Sequence, residues 1–423
     1  QMDLSNELAS LTELIRPLTD LISANPWISA AATALISGVG GTGIFSFLRR
    51  IKPTKPEVGE YFRDDRLLSP PQKRPAYSDR MAYVLAEMSD IAYIDFEGAG
   101  GVIKDAVGEI QKLGIDSAET LKEFLDSFSL ELMGNPRLDK EFLAALLKKS
   151  NFELLKAFSV AGTQGFACKS IVEGEPPYIV IAFRGTEQKV SDWLTDLNAV
   201  PKVDGKEKVH TGFWKAFNEA PDGGPTARDV VKGIMDSSAA KDDSGAPLPL
   251  FITGHSLGGA LALMATKALA LNIDGACYTF GAPRIANYDY FKDLKTPIYR
   301  VVNSSDIVPR VPPGATMQIA VGVVKLLSWL TGWTPAVSSL FEKLEGFLDR
   351  LNGYRHAGDL RYLTDVAAGK FEDVRLLSNP PAIDRIVWLW KNMAAGIFVP
   401  VKAHSMSIYR KKLQYIAKDR LQF

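Results

Sequence analysis

Histidine and cysteine are both scarce in this chain of 423 residues, with four of the first and two of the second. The two cysteines, Cys168 and Cys277, exclude a disulfide framework. Both fall in strand-like apolar stretches, where a thiol acts as a small buried side chain, and a single bridge between them is left open. No C-x-x-C and no H-E-x-x-H occurs, so the usual metal-ligand spacings are missing and neither metal nor cofactor is expected. An excess of either charge is also missing. Lys plus Arg and Asp plus Glu are both 49, a formal net charge of zero, which argues against nucleic acid as a partner. With only four histidines, a reaction that needs imidazole can be traced largely by elimination.

Charge is absent altogether from Leu21 to Leu48. That length suffices to span a bilayer, but Ala, Gly, Ser and Thr dominate it, so its hydropathy is modest. Two readings stay open, a membrane-associated segment and a buried helical hairpin broken at its glycines. Acidic residues precede the stretch (Asp3, Glu7, Glu13, Asp20) and basic ones follow it (Arg49, Arg50, Lys52, Lys55), which is unlike a cleaved secretory signal. If it spans a membrane, this asymmetry puts the rest of the chain on the cytoplasmic side. The expected location is membrane-associated or cytoplasmic, with secretion lacking a cleavable signal left open. Gly38-x-Gly40-x-x-Gly43 matches dinucleotide-binding spacing, but no strand precedes it and Pro53 leaves little room for the helix and strand that should follow. Residues 52–77 carry five prolines and many charges and read as a linker. The expected organisation is an apolar helical region over 1–51, that linker, and a large domain over 78–423.

Within the large domain, Met81, Val84, Leu85, Met88 and Ile91 predict an amphipathic helix capped by Ser78. Residues 117–160 read as helical. From there "GFACKSIV", "YIVIAFRG", "PLFITG", "ACYTF" and "PIYRVV" read as strands, with helical stretches between the later ones, above all Ser256 to Leu271. Alternation of this kind predicts an α/β fold with a mostly parallel sheet covered on both faces. Ligands of such sheets bind beyond the carboxyl ends of the strands.

Ser256 lies at such an end. It is the centre of Gly254-His255-Ser256-Leu257-Gly258, between an apolar strand and a long helix. The flanking glycines permit a tight turn that exposes the hydroxyl, and the helix N-terminus favours a developing oxyanion. A nucleophilic serine needs a base, and the base needs an acid. Chain order for this elbow runs Ser, then acid, then His. His210 precedes Ser256, and His255 sits inside the elbow, where it reads as a packed support. His356 and His404 remain. For the acid, Asp306 follows the strand "PIYRVV" in a loop stiffened by Pro309 and Pro312.

These features resemble the class 3 lipase family, the fungal-type triacylglycerol lipases and their bacterial relatives. The resemblance rests on "GHSLGGALA", "FRGT", "DWLTDL", "VHTGFWKAF", "YTFGAPRIAN", "DIVPRVPP" and "YRHAGDLRYL", in the family's order. It implies an α/β-hydrolase fold and a lipid carboxylic-ester hydrolase acting through an acyl-enzyme. It implies Ser256, Asp306 and His404 as catalytic residues, with "HSMSIY" supplying the base and His356 a supporting histidine. Ala403 stands where the family usually has Asp. The oxyanion hole implied is the Leu257 amide with Thr186 of "FRGT", and residues 187–200, with Trp193 and Asp196, correspond to the lid. Arg184 is a candidate partner for Asp196. The implied partner is lipid or phospholipid at a membrane or droplet surface, and a regulatory or neutralising protein is left open.

One departure is large. About 40 residues, roughly 314–353, stand between the Asp306 loop and "YRHAG". Their apolar spacing predicts amphipathic helices with Trp329 and Trp333 near the middle, either a cap able to enter a lipid surface or a hairpin packed on the sheet. Competing readings for the whole chain are an esterase for small soluble esters and a non-catalytic signalling or interaction protein on the same fold.

Overall fold

Strands that send apolar side chains to both faces need cover on both, and the computed structural model of this chain supplies it. The structure describes residues 61–62, 64–68, 70, 76–93, 140–160, 162–185, 202–220, 223–269, 274–310, 353–366, 370–381, 384–385, 388 and 403–421. The elements that matter for the site are α1 (Asp79–Ile91), α2 (Lys140–Lys149), β1 (Phe152–Val160), β2 (Thr163–Ser170), β3 (Ile179–Phe183), β4 (Lys202–Asp204), β5 (Glu207–Val209), α3 (Thr211–Asn218), α4 (Ala227–Asp236), β6 (Leu250–His255), α5 (Leu257–Leu269), β7 (Gly275–Phe280), β8 (Ile298–Asn303), β9 (Asp359–Leu363), β10 (Leu376–Ser378) and α6 (Met406–Asp419). Eight strands form one sheet in the order β1-β2-β3-β6-β7-β8-β9-β10. The five from β3 to β9 run parallel, and the flanking pairs β1/β2, β2/β3 and β9/β10 are antiparallel. This is the α/β-hydrolase architecture expected from the sequence. β4 and β5 form a separate small hairpin.

The parallel strands are apolar on both sides. Ile179, Ile181 and Phe183 of β3 join Leu250 and Ile252 of β6 in a core beneath α3, α4 and α5. Val180, Ala182, Phe251 and Tyr278 face a second core beneath α1 and α6. Register puts Phe183 beside Gly254 and His255 beside Phe280. The carboxyl ends of β3, β6 and β7 therefore lie side by side, and β8 follows. Cys168 and Cys277 sit in β2 and β7, buried and unbridged.

Three expectations need correction. The stretch 152–160 is a strand, not helix: "FELLKAFSV" pairs antiparallel with β2, and a register shift between Leu154 and Lys156 lets Glu153 and Lys156, three positions apart, both be exposed. Of the region read as helical, only 140–149 is helix among the described residues. Helix α1 begins as predicted, with Ser78 Oγ accepting from the Met81 amide, but it is buried nearly all round rather than amphipathic. It is packed between β6 and α6, so Glu87 and Asp90 find their partner inside, in Arg410 of α6. The linker reading also fails at 61–68. Tyr61, Phe62, Leu67 and Leu68 are buried in the second core, and Asp64 pairs with Lys418 of α6. Prolines and charges hid those anchors. The folded unit thus begins at or before Tyr61. Residues 1–60, with the uncharged stretch and the glycine motif, lie outside the described residues. Among those described, no helix is long and apolar enough to cross a membrane.

The α1–α6 contact makes a prediction. Burial pushes Glu87 up to about 7, against the opposing pull of Arg410. A carboxyl whose folded pKa is raised contributes stability below its unfolded value of 4.5 and loses it as pH rises through about 7. The stability of wild type relative to Glu87→Gln is therefore expected to fall by up to about 3 kcal/mol between acid and mildly basic pH. Denaturant unfolding of both proteins across that range checks this. An ordinary ion pair gives the opposite slope.

Candidate active site

A short strand followed at once by a helix forces one residue into an unusual backbone conformation. Ser256, between β6 and α5, has φ +56°. A side chain held there costs about 1–3 kcal/mol unless its surroundings fix it. They do: the Ser256 amide donates to Phe280 O at 2.9 Å, and Ser256 O accepts from Gly259 N at 3.1 Å. The flanking glycines are required by contact. A Cβ on Gly254 would overlap the Gly258 carbonyl, and one on Gly258 would overlap the Phe183 carbonyl.

Ser256 Oγ lies 2.9 Å from His404 Nε2. On the other side of the ring, His404 Nδ1 is 2.9 and 3.0 Å from the two Asp306 oxygens. A carboxylate only accepts, so Nδ1 carries the hydrogen and Nε2 is left to accept from the hydroxyl. Asp306 is fully buried and held by two further donors, Tyr409 Oη to Oδ2 at 2.6 Å and Val308 N to Oδ1 at 3.0 Å. Ser256 and His404 are buried too. The residues come from the ends of β6 and β8 and from the turn before α6, parts of the chain up to 148 positions apart.

The other histidines act as braces. His255 packs its ring on His404, centroids 4.5 Å apart, and its Nε2 donates to His404 O at 2.8 Å while Nδ1 accepts from Tyr93 Oη at 2.9 Å. Burial, with His404 beside it, holds its pKa well below the ordinary value, so the ring is neutral. His356 Nε2 donates to Pro309 O at 2.6 Å and so pins the turn that follows Asp306. His210 caps α3, accepting from the Gly212 amide.

Several residues that the sequence reading did not single out complete the site. Gly281, with φ +58°, lies where a Cβ would stand 2.7 Å from Asp306 Oδ2 and 3.1 Å from His404 Nδ1. Asn303 ties the base to the acid. Its Nδ2 donates to Ala403 O at 2.7 Å, its amide donates to Tyr409 Oη at 2.9 Å, and its carbonyl accepts from the Asp306 amide. Its Oδ1 accepts from the buried Lys412 Nζ at 2.7 Å, which also donates to Thr364 O. Burial presses Lys412 down to about 8, with Asp365 working against it. Even the neutral amine keeps two N–H groups for two acceptors. Tyr409 and Lys412 stand three apart on one face of α6, a spacing visible in the sequence. Asn303→Asp keeps the Lys412 acceptor and loses the donor to Ala403. Its kcat for ester hydrolysis is expected to fall about tenfold or more while thermal stability changes little, because a loosened base loses reactive geometry before it loses fold. Parallel loss of stability and activity would make the link merely structural.

Leu257, whose amide is the expected oxyanion-hole donor, is the first residue of α5. Thr186 lies outside the described residues, as do Trp193, Asp196 and the stretch 314–352. Gly185, one before Thr186, reaches the elbow: its amide would be 2.9 Å from a Cβ on Gly258. Arg184 donates to Gln164 Oε1.

Residues 180–316 match the sequence family described as lipase (class 3). The match includes Ser256 and Asp306 and stops short of His404, which is carried by geometry. A secreted mono- and diacylglycerol lipase of Fusarium solani is 34% identical over 166 residues, 37% of this chain and 46% of that one. A chloroplastic phospholipase A1 of Arabidopsis thaliana is 30% identical over 235 residues, 43% of each. The chain thus spans less than half the length of these relatives. Among solved structures, a lipase from Rhizopus microsporus var. chinensis superposes with a TM-score of 0.39 at 23% identity, over 62% of this chain and 77% of that one.

Proposed function

With a class 3 lipase region over residues 180–316 as the premise, we propose that this protein hydrolyses carboxylic esters of lipids through an acyl-enzyme. One observation carries the reading: the unbroken hydrogen-bonded line from Ser256 Oγ through His404 to the buried Asp306. Ser256 attacks the ester carbonyl. His404 Nε2 takes the hydroxyl proton and returns it to the leaving alcohol, and Asp306 holds the ring and stabilises its charged form. The oxyanion is met by the Leu257 amide at the start of α5 and by Thr186, each contributing about 2.7–4 kcal/mol in the transition state. Residues 187–200 serve as the flap over the site, and the stretch 314–353 as a cap toward the lipid surface.

The test sets dispersed phospholipid, diacylglycerol and triacylglycerol beside a short soluble p-nitrophenyl ester, with Ser256→Ala as control. Turnover of aggregated lipid that disappears in the variant is expected. Turnover of the short ester alone would make the protein a soluble-ester hydrolase. Loss of serine dependence throughout would end the enzymatic reading.

A further inference from the structure

A lysine with 2% of its surface exposed is a costly choice for a helix packed against a sheet, and Lys412 of α6 is one. Its Nζ spends two hydrogen bonds on neutral oxygens, Asn303 Oδ1 and Thr364 O, both at 2.7 Å. A packed apolar side chain of similar length would serve stability there as well. What the amine adds is direction. A charged Nζ only donates, and a carbonyl only accepts. With Nζ on one side and Ala403 O on the other, the Asn303 amide has one way to lie: Oδ1 toward the lysine, and Nδ2 toward Ala403 O at 2.7 Å. Turned over, it would set N–H against N–H and oxygen against oxygen. Ala403 is the residue before His404, so the oriented amide fixes the backbone that carries the base.

The acid depends on the same corner of the fold. Ser304, between Asn303 and Asp306, has φ +43°, a conformation that a side chain keeps only when its neighbours fix it. Its amide donates to Leu363 O at 2.8 Å, and its carbonyl accepts from Tyr362 Oη at 2.7 Å. Lys412 adds a third tie to the end of β9, joining Thr364 to the residue where the strained turn begins. We propose that Lys412 is a positioning residue for the hydrolysis described above: it orients the Asn303 amide, and through it holds the backbone of the base and the turn of the acid in one register. The inference rests on the hydrolase reading and adds a residue to it. Lys412 acts on the pair through Asn303, not by contact with the reacting atoms.

Kinetics on the full chain test it, with the ester turned over fastest in the panel above and at a temperature below every unfolding transition. Lys412→Met is expected to lower kcat about tenfold and to leave KM within about twofold. Lys412→Gln, which still offers Oδ1 a donor, should lose only about threefold. Added to Asn303→Ala, Lys412→Met should cost less than about twofold more, because its route is already cut. Where Lys412→Met does not fold, Lys412→Gln takes its place in that cycle. Wild-type kcat in the variant that carries the cycle would overturn the proposal. So would its full loss repeated in the Asn303→Ala background, or a loss confined to KM. A second readout needs no substrate. The far-downfield proton resonance of the bond from His404 Nδ1 to Asp306 should exchange with water about tenfold faster in the same variant, and unaltered exchange would overturn the positioning role. Absence of serine-dependent turnover on every ester would overturn the hydrolase reading, while the resonance would still judge Lys412.

Discussion

Ser256→Ala is expected to lower kcat for ester hydrolysis by roughly 10^5-fold or more, and His404→Ala by a similar factor. The sharper expectation is for the pair. Ser256 Oγ and His404 Nε2 share one hydrogen bond, so the hydroxyl is a poor nucleophile without the ring and the ring has nothing to activate without the hydroxyl. The double variant should therefore be no slower than either single one, within a few fold. Residual catalysis would come from oxyanion contacts and substrate binding. Asp306→Asn, which replaces an acceptor at Nδ1 with an amide able to present N–H, should cost about 10^4-fold by favouring the wrong tautomer. Single-turnover measurements with a chromogenic ester read all four proteins. Losses that multiply in the double variant would show that the two side chains act independently and would refute the proposed catalytic pair.

Gly258→Ala is expected to be among the most damaging single methyl groups that can be added to this fold. Its Cβ would overlap the Phe183 carbonyl and stand 2.9 Å from both Arg184 C and Gly185 N. All three are backbone, which cannot rotate away as a side chain can. Relief requires sliding α5 off the end of β3, and α5 is buried along most of its length. The expected cost is about 3 kcal/mol, equivalent to a fall in Tm of roughly 6–12 °C. Any variant that still folds should lose activity as well, since the shift moves Leu257 and the segment leading into Thr186 together. Calorimetry with ester assays at a temperature below both transitions separates the two effects. Wild-type Tm in this variant would show that the crossing is looser than the contacts imply.

Much of this architecture could be read in advance because the central strands carry unbroken apolar runs. "IVIAF" and "LFITGH" are buried throughout, and such runs, bounded by glycine and proline, have few other places to go. The elbow was legible for a similar local reason: strand, tight turn and helix are consecutive in the chain. β1 was not, because Glu153 and Lys156 imitate the polar face of a helix, and only its antiparallel partner β2 decides the matter. The anchor at 61–68 was hidden likewise, since the burial of Tyr61 depends on Arg410, which lies over its ring 4.5 Å away from the far end of the chain. In the site, Ser256, Asp306 and His404 stand in motifs. Asn303, Gly281 and Lys412 do not announce themselves, for their importance is relational: each matters only through what a distant segment places against it.

The order in which these parts appear along the chain has a temporal meaning. The elbow and the acid belong to the middle of the sequence, whereas the base, its ties through Ala403 and Tyr409, and the lysine that fixes Asn303 all come after residue 400. During synthesis the serine is made long before anything can ionise it. A nascent chain that has emerged only as far as β9 holds the Ser256 hydroxyl without the His404 nitrogen that bonds it, and Asp306 without His404 or Tyr409 to hold it. The proposed catalytic line from Ser256 to Asp306 therefore closes late, when the segment from Ala403 through α6 takes its place.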